Sequence, residues 1–387
     1  MINIKTLNHI SDACRKYLPE DRYKMGDDVE NPDAIFVRAT NMHDYEFAPQ
    51  TLCIGRAGIG VNTIPLDRCT ESGIAVFNTP GANANGVKEL FLFALGMGGR
   101  DIQGSMDWVR SYNDDEIPVE VAMEQVKKQF VGKEYCGKTL GVIGTGNVGS
   151  LVSNIALELE MQVLAYDPYL SVDAAWKVSR EVKRKADVSA VFANCDYLTI
   201  HTPLTDETQD MINKDTIALM KDGAVIINYA RGEVANEADV IDALKSGKIS
   251  RYICDFPTNA LVLAPNTILT PHLGGTTHES EEKCAVMAAK QMANYIENGN
   301  IKNSVNLPNV SLDRMGVARL CVIHENVPKM LNRFLDIIGR ENINVEHMMN
   351  KHRGKFAYTI IDTGSAISDE IKEEIASMAE VVRVRVI

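Results

Sequence analysis

Two side chains stand where a chain that needed only to fold would place something else. The run GAVIINYARGEV (223–234) reads as a buried strand delivering the chain straight to Arg231, and NTILTPHLGG (266–275) as another that ends at His272. An arginine stays charged at every working pH and grips a carboxylate through paired hydrogen bonds, while a histidine exchanges protons near neutrality. Side by side they can hold a small acid and move a proton at it. A third feature suits the same chemistry. LGVIGTGNVGS puts Gly144, Gly146 and Gly149 in G-x-G-x-x-G spacing after an apolar strand and at the head of a helical stretch, and Asp167 closes the next strand 18 residues after Gly149. Glycines so placed let backbone N–H groups and the positive end of a helix approach a pyrophosphate, and the aspartate can accept hydrogen bonds from a ribose. Asp167 would also repel a ribose 2′-phosphate, and no arginine follows it in PYLSVD, so NAD is expected rather than NADP.

Residues of this kind work only if a rigid layer holds them. Strand-like runs (IKTL, DAIFVRAT, TLCIGRAG, GIAVFNT) alternate with helical stretches through residue 80, followed by the apolar helix VKELFLFALGMGG and a polar, charged passage from Arg100 to Glu134. A second series then supplies GKTLGVIG, MQVLAYD, YLTIHTP, GAVIINYA, RYICDF and NTILTPH, the strand count of a complete dinucleotide-binding sheet. In such sheets ligands lie beyond the carboxyl ends of the strands, which makes Thr202, Pro203, Arg231, Asp255 and His272 the informative positions.

The helical pattern from Glu279 to Gly299 can return the chain to the first layer, and SVNLPNVSLDRMG (304–316) reads as a linker. Beyond it the order strand, helix, strand, strand, helix, strand is that of a small ferredoxin-like module. The expected architecture is α/β. Two Rossmann-like doubly wound domains, one discontinuous over 1–95 and 280–303 and one over 96–279, precede a βαββαβ domain over 317–387.

Composition narrows the function. A net charge of −12 argues against a general affinity for nucleic acid or for an anionic membrane surface, so an anionic ligand needs a local cluster of arginines. The eight cysteines form no C-x-x-C pair, and neither a metal site nor a disulfide framework is expected. The start, MINIKTLNHI, has no basic segment followed by an apolar one, which favours a cytoplasmic location.

The ordered set HTPL (201–204), NYARGEV (228–234), CDF (254–256) and PHLGG (271–275) resembles the D-2-hydroxyacid dehydrogenase family over residues 1–303. The resemblance implies that Arg231 holds the carboxylate and carbonyl of a 2-oxo or 2-hydroxy acid. It implies that His272 exchanges a proton with the C2 oxygen during hydride transfer, and that Asp255 meets the nicotinamide end. Further cofactor contacts would fall on Asn147, Val148, Thr202, Pro203, Tyr229, Ala230, Gly274 and Gly275. One departure stands out. The family places a glutamate after the CDF-like aspartate to orient the histidine; here that position is Ala260, and residues 256–278 contain no Asp or Glu. Asn259 as a neutral partner, a carboxylate from elsewhere such as Glu233, or impaired catalysis are the alternatives.

In the first layer, IFVRAT and CIGRAGIGV supply Arg38 and Arg56 with Gly58 and Gly60, a basic, glycine-flanked loop suited to a carboxylate and a phosphate. Family members that act on 3-phosphoglycerate are similar in these arginines. In the tail, VIHENVPKML resembles the ligand loop of ACT regulatory domains, which implies L-serine contacts at His324 and Asn326, with Asn344 serving the adjoining chain. Lys329 stands where that motif has glycine. The expectation is NAD-dependent oxidation of D-3-phosphoglycerate to 3-phosphohydroxypyruvate by a homodimer or homotetramer, with serine feedback. The rival readings are a reductase of glyoxylate, hydroxypyruvate or 2-oxoglutarate, and a NAD-sensing binding protein.

Overall fold

The computed structural model describes the backbone of residues 1–387 and every side chain except that of Asp173. The chain forms two compact units, residues 1–82 with 281–387, and residues 83–280.

In the first unit, β1 (Ile2–Leu7), β2 (Tyr23–Gly26), β3 (Ala34–Val37), β4 (Cys53–Arg56) and β5 (Ala75–Phe77) form a parallel sheet in the order β2-β1-β3-β4-β5. AIFV and AVF are buried at every position, as strands covered on both faces must be. Strand β2 is short, with an exposed lysine, and carries too little apolar pattern to read from sequence. The order reverses at β1, which opens a crevice beyond the carboxyl ends of β1 and β3.

The second unit holds β6 (Thr139–Ile143), β7 (Gln162–Tyr166), β8 (Lys183–Arg184), β9 (Tyr197–Ile200), β10 (Ala224–Asn228), β11 (Ile249–Cys254) and β12 (Thr267–Leu269). They run parallel in the order β12-β11-β10-β9-β6-β7-β8. Six of these were legible; β8 is two exposed charged residues and left no hydrophobic signal. The helix Ala84–Gly99 lays Phe91, Ala94 and Leu95 on this sheet against Leu140, Val142 and Val225. The passage expected to be merely polar contains the helices Ile102–Ser111 and Val119–Val126, neither of which buries a residue within the chain.

The tail belongs to the first unit. Its β13 (Ala318–Glu325), β14 (Val345–Arg353), β15 (Phe356–Thr363) and β16 (Val381–Val386) pair antiparallel in the order β14-β15-β13-β16, with helices Met330–Arg340 and Asp369–Ala376 between them. This is the expected split βαβ topology. Alternation along the strands divides two cores. Leu320, Val322 and Ile361 pack with Phe334, Ile337 and Ile375. Cys321, Ile323, Tyr358 and Ile360 pack with Met292, Tyr295 and Ile296 of the long helix His278–Asn298.

Polar groups lock the second contact. Fully buried Arg319 is bidentate to buried Asp362 at 2.6 and 2.8 Å and donates to the carbonyl of Asn298 at 2.7 Å. Arg385 donates to the carbonyls of Tyr295 and Ile296, and the Tyr358 hydroxyl to that of Gly299 at 2.6 Å. The tail thus satisfies the orphan carbonyls that end the long helix, where positive charge is favoured. Removing one member strands the other in a dry core. Arg319→Ala should cost about 3–5 kcal/mol, read as a lower urea midpoint; a loss below about 1 kcal/mol, the range of an exposed pair, would contradict this account.

Candidate active site

The cofactor cradle is built by glycines with separate tasks. Gly144 leaves β6 at a φ of +83°, and a Cβ there would lie 2.9 Å from the carbonyl oxygen of His201. A Cβ at Gly149 would overlap the carbonyl oxygen of Gly144, so that glycine lets the helix Asn147–Glu158 pack against the turn. At Gly146, the residue capping that helix, a Cβ would meet nothing within 4 Å. The open side leaves room at the helix N-terminus, the setting in which a pyrophosphate would fit. Beside Gly144, the buried Thr202 hydroxyl has no hydrogen-bond partner among the described residues, as suits a side chain waiting for a ligand atom.

Asp167 stands at the end of β7. Its carboxylate accepts from the Thr145 N–H at 2.8 Å and the Tyr169 N–H at 2.9 Å, which fixes its direction. It lines a cavity of about 410 Å³ with Pro168, Leu170, Val172, Trp176 and Arg184. Arg184 is a residue that the sequence reading missed. It lies on β8, far beyond PYLSVD, and only the pairing of β7 with β8 brings it to this cavity. These groups fit an NAD-type dinucleotide, with the glycine loop at its pyrophosphate and Asp167 at a ribose.

At the next strand ends, buried Asn228 organises the turn that carries Arg231. Its amide donates to the Arg231 carbonyl at 2.8 Å and the Tyr252 hydroxyl at 3.2 Å, and its oxygen accepts from the Ala230 N–H at 3.1 Å. The Arg231 guanidinium touches its own turn through one nitrogen, to the Ala230 carbonyl at 2.7 Å.

Asp255 is buried, and its carboxylate accepts from the Thr270 hydroxyl at 2.5 Å, the Leu273 N–H at 2.7 Å and the Gly274 N–H at 2.7 Å. What the structure shows at Asp255 is therefore a pin for the PHLGG loop. His272 sits in that loop at a φ of +57°, a left-handed conformation costing a non-glycine residue roughly 1–2 kcal/mol. It is held there by N–H bonds to the carbonyls of Asp255 at 3.0 Å and Thr270 at 3.1 Å.

The imidazole stacks edge-on against Phe256, with centroids 5.0 Å apart, and makes no hydrogen bond among the described residues. The expectation that Asn259 orients it is not met: Asn259 opens the short helix Asn259–Leu263 without bonding the ring. Where the family's carboxylate is missing, His272 instead lines a cavity of about 750 Å³ together with Glu233, Glu237, Tyr252, Thr258 and Leu261. His201, which follows β9, has another character. Its ring bonds the Thr199 hydroxyl at 3.0 Å, and burial pushes its pKa down to about 3, so it stays neutral.

In the first unit Arg38 follows β3 and Arg56 ends β4. Arg56 Nε donates to the Arg38 carbonyl at 3.0 Å, and the Arg38 guanidinium pairs with Glu281 on the first turn of the helix His278–Asn298. Gly58 turns back at once, its N–H on the Arg56 carbonyl at 2.9 Å, and Gly60 follows in the same loop.

In the tail, both ring nitrogens of buried His324 are engaged, with the Glu325 carbonyl at 2.7 Å and the Thr359 hydroxyl at 2.9 Å, and burial lowers its pKa. Asn326 is exposed beside it. Asn344 precedes β14 at the opposite end of the sheet, so one chain does not bring the three together. Lys329 takes a φ of +71°, which explains a glycine preference at that position.

Comparison with known proteins agrees with this geometry. Residues 102–274 match the D-isomer specific 2-hydroxyacid dehydrogenase, NAD binding domain family. The chain is 32% identical over 383 residues to D-3-phosphoglycerate dehydrogenase 1 of Saccharomyces cerevisiae, covering 92% of this chain and 77% of that one. The chain belongs to the D-2-hydroxyacid dehydrogenase family. Another relative, D-3-phosphoglycerate dehydrogenase of Haemophilus influenzae, is 31% identical over 88% of this chain and 82% of its own. Among solved structures, NAD+-bound 3-phosphoglycerate dehydrogenase from Entamoeba histolytica shares the fold with a TM-score of 0.61 at 24% identity, covering 79% of this chain and 98% of that one. This family member is therefore an NAD-dependent dehydrogenase.

The three glycines should respond differently to substitution. Gly146→Ala should fold with its melting temperature intact yet bind NADH at least about tenfold more weakly, whereas Gly149→Ala should lose stability by about 1–3 kcal/mol of overpacking. Equal effects in NADH fluorescence and thermal melting would refute the division. For His201, a folded pKa near 3 against about 6.5 unfolded means that the unfolded chain binds the extra proton as pH falls. The contribution of His201 to stability should be constant above about pH 6.5 and fall by up to about 1.4 kcal/mol per pH unit below it. Urea unfolding should show a shallower loss for His201→Gln; parallel lines would reject this.

Proposed function

We propose that this chain oxidises D-3-phosphoglycerate to 3-phosphohydroxypyruvate with NAD as the hydride acceptor. The observation that carries the substrate reading is the linked pair Arg38–Arg56, two guanidinium groups tied through one loop of a chain whose net charge is −12. The names of the relatives point the same way. In this reading Arg231 anchors the carboxylate of the acid, and Arg38 and Arg56 meet the phosphate with charge-assisted hydrogen bonds. Gly58 and Gly60 let the loop turn back beside it, the Gly58 N–H being taken by the Arg56 carbonyl. His272 takes the hydroxyl proton as the C2 hydrogen leaves with its electron pair, and the bound nicotinamide supplies the acceptor for that hydride. Asp255 and Asn228 hold the His272 and Arg231 turns in place, so the backbone that carries the two groups is set before substrate arrives.

Residues 317–387 we assign as an ACT regulatory domain that binds L-serine, supported by the split βαβ topology and by His324 and Asn326 in the matching loop. Assembly as a homo-oligomer is supported by Met106, Val109, Val121 and Met123, apolar residues left exposed on the two helices that bury nothing within the chain.

A second reading follows from the His272 ring, which lacks a hydrogen-bonding orienter: a protein that binds NADH tightly and turns over slowly or not at all. Absorbance at the NADH band separates the two. With D-3-phosphoglycerate and NAD the wild type should form NADH, His272→Asn should lower kcat by about 10²–10⁴, and added L-serine should slow the wild type. No NADH from D-3-phosphoglycerate, but formation from another D-2-hydroxy acid, would move the assignment within the family. Tight NADH binding without any turnover would favour the sensor.

A further inference from the structure

One residue outside every group discussed so far adopts a backbone conformation that its type does not favour. Asn8, the first residue after β1, has a φ of +117°, a region that residues with a side chain seldom occupy and that persists only where surrounding contacts determine it. Those contacts are unusual. Its single side-chain oxygen accepts from three consecutive backbone N–H groups, those of Arg38 at 3.1 Å, Ala39 at 2.9 Å and Thr40 at 3.2 Å, and from the Thr40 hydroxyl at 3.1 Å. Successive N–H groups turned onto one point form a concave donor set. Here that set is filled by the chain itself, at the carboxyl ends of β1 and β3, where the strand order of the first sheet reverses.

The consequence runs through the loop. Fixing the backbone of 38–40 fixes the Arg38 carbonyl, which receives Arg56 Nε at 3.0 Å, and it fixes the root of the Arg38 side chain, whose guanidinium is steadied by Glu281. One carboxamide oxygen thus fixes the backbone from which the Arg38 side chain extends and the carbonyl on which Arg56 rests. We propose that Asn8 is a positioning residue for recognition of the phosphorylated end of the substrate, acting through the Arg38–Thr40 loop to hold Arg38 and Arg56 as one anion-binding pair. This rests on the assignment of those arginines to the phosphate. Asn8 touches no reacting atom, so its effect falls on substrate affinity and not on the chemical step.

Asn8→Gly makes the decisive variant, because glycine adopts the backbone conformation freely and removes only the acceptor. With D-3-phosphoglycerate its KM should rise about tenfold or more, as displaced binding groups do, while kcat stays within about twofold and the melting temperature and NADH affinity are unchanged. Inorganic phosphate should raise the melting temperature of the wild type and not that of Asn8→Gly. A KM within about twofold of the wild type, or a kcat that falls as far as KM rises, overturns the role given to Asn8. A wild type that forms no NADH from D-3-phosphoglycerate overturns the substrate assignment instead. In that event phosphate protection alone decides: protection lost in Asn8→Gly upholds the anion-pair role, and equal protection of both proteins ends it.

Discussion

Parallel strands that are apolar along their length have nowhere to keep polar residues except at their ends. Because every strand of a parallel sheet runs the same way, the carboxyl ends gather along one edge, and whatever chemistry the chain possesses must collect there. In the second unit this constraint gathers Gly144, Asp167, Thr202, Arg231, Asp255 and His272 from six different strands and the turns that follow them. None of them is close to all the others in sequence. The site is thus a by-product of burying AVIIN and its neighbours completely, and its precision comes from the stiffness of what lies beneath.

Stiffness alone does not aim a side chain. At two strand ends a buried polar residue takes up the backbone of the following turn: Asn228 under Arg231, and Asp255 under the loop of His272. The exposed Asn8 does the same for Arg38 in the first unit. Each costs desolvation or strain and returns a fixed turn. A left-handed histidine is tolerable on these terms, since the Asp255 carboxylate and carbonyl hold both sides of it. The tail follows the same logic at larger scale, its arginines meeting carbonyls at the end of the long helix His278–Asn298 whose first turn carries Glu281.

The departure at Ala260 takes physical form beside the imidazole. The ring packs against Phe256, and both line a cavity edged by Glu233 and Glu237. The ring is held through its backbone and its packing, not through a hydrogen bond. That leaves an imidazole whose orientation depends on Phe256 and on the Asp255 pin.

Motif, order and strand character could be read before any coordinates, because each rests on local rules: glycines where a turn needs them, long apolar runs where both faces are covered, charge where a strand must end. The strands that lead to Arg231 and His272, the glycine turn and the split βαβ tail were legible for that reason. What no local rule contains is pairing across distance. The short β2 and β8 carry no hydrophobic pattern and exist because neighbours offer them an edge, and with β8 comes Arg184. The chain's own burial leaves the helices at 102–111 and 119–126 uncovered, a fact invisible to composition. Asn8 bears on Arg38 only because β1 lies beside β3, and Asn259 opens a short helix without bonding the His272 ring. Sequence decided which groups were available; the hydrogen-bonded register of strands far apart in the chain decided which of them meet.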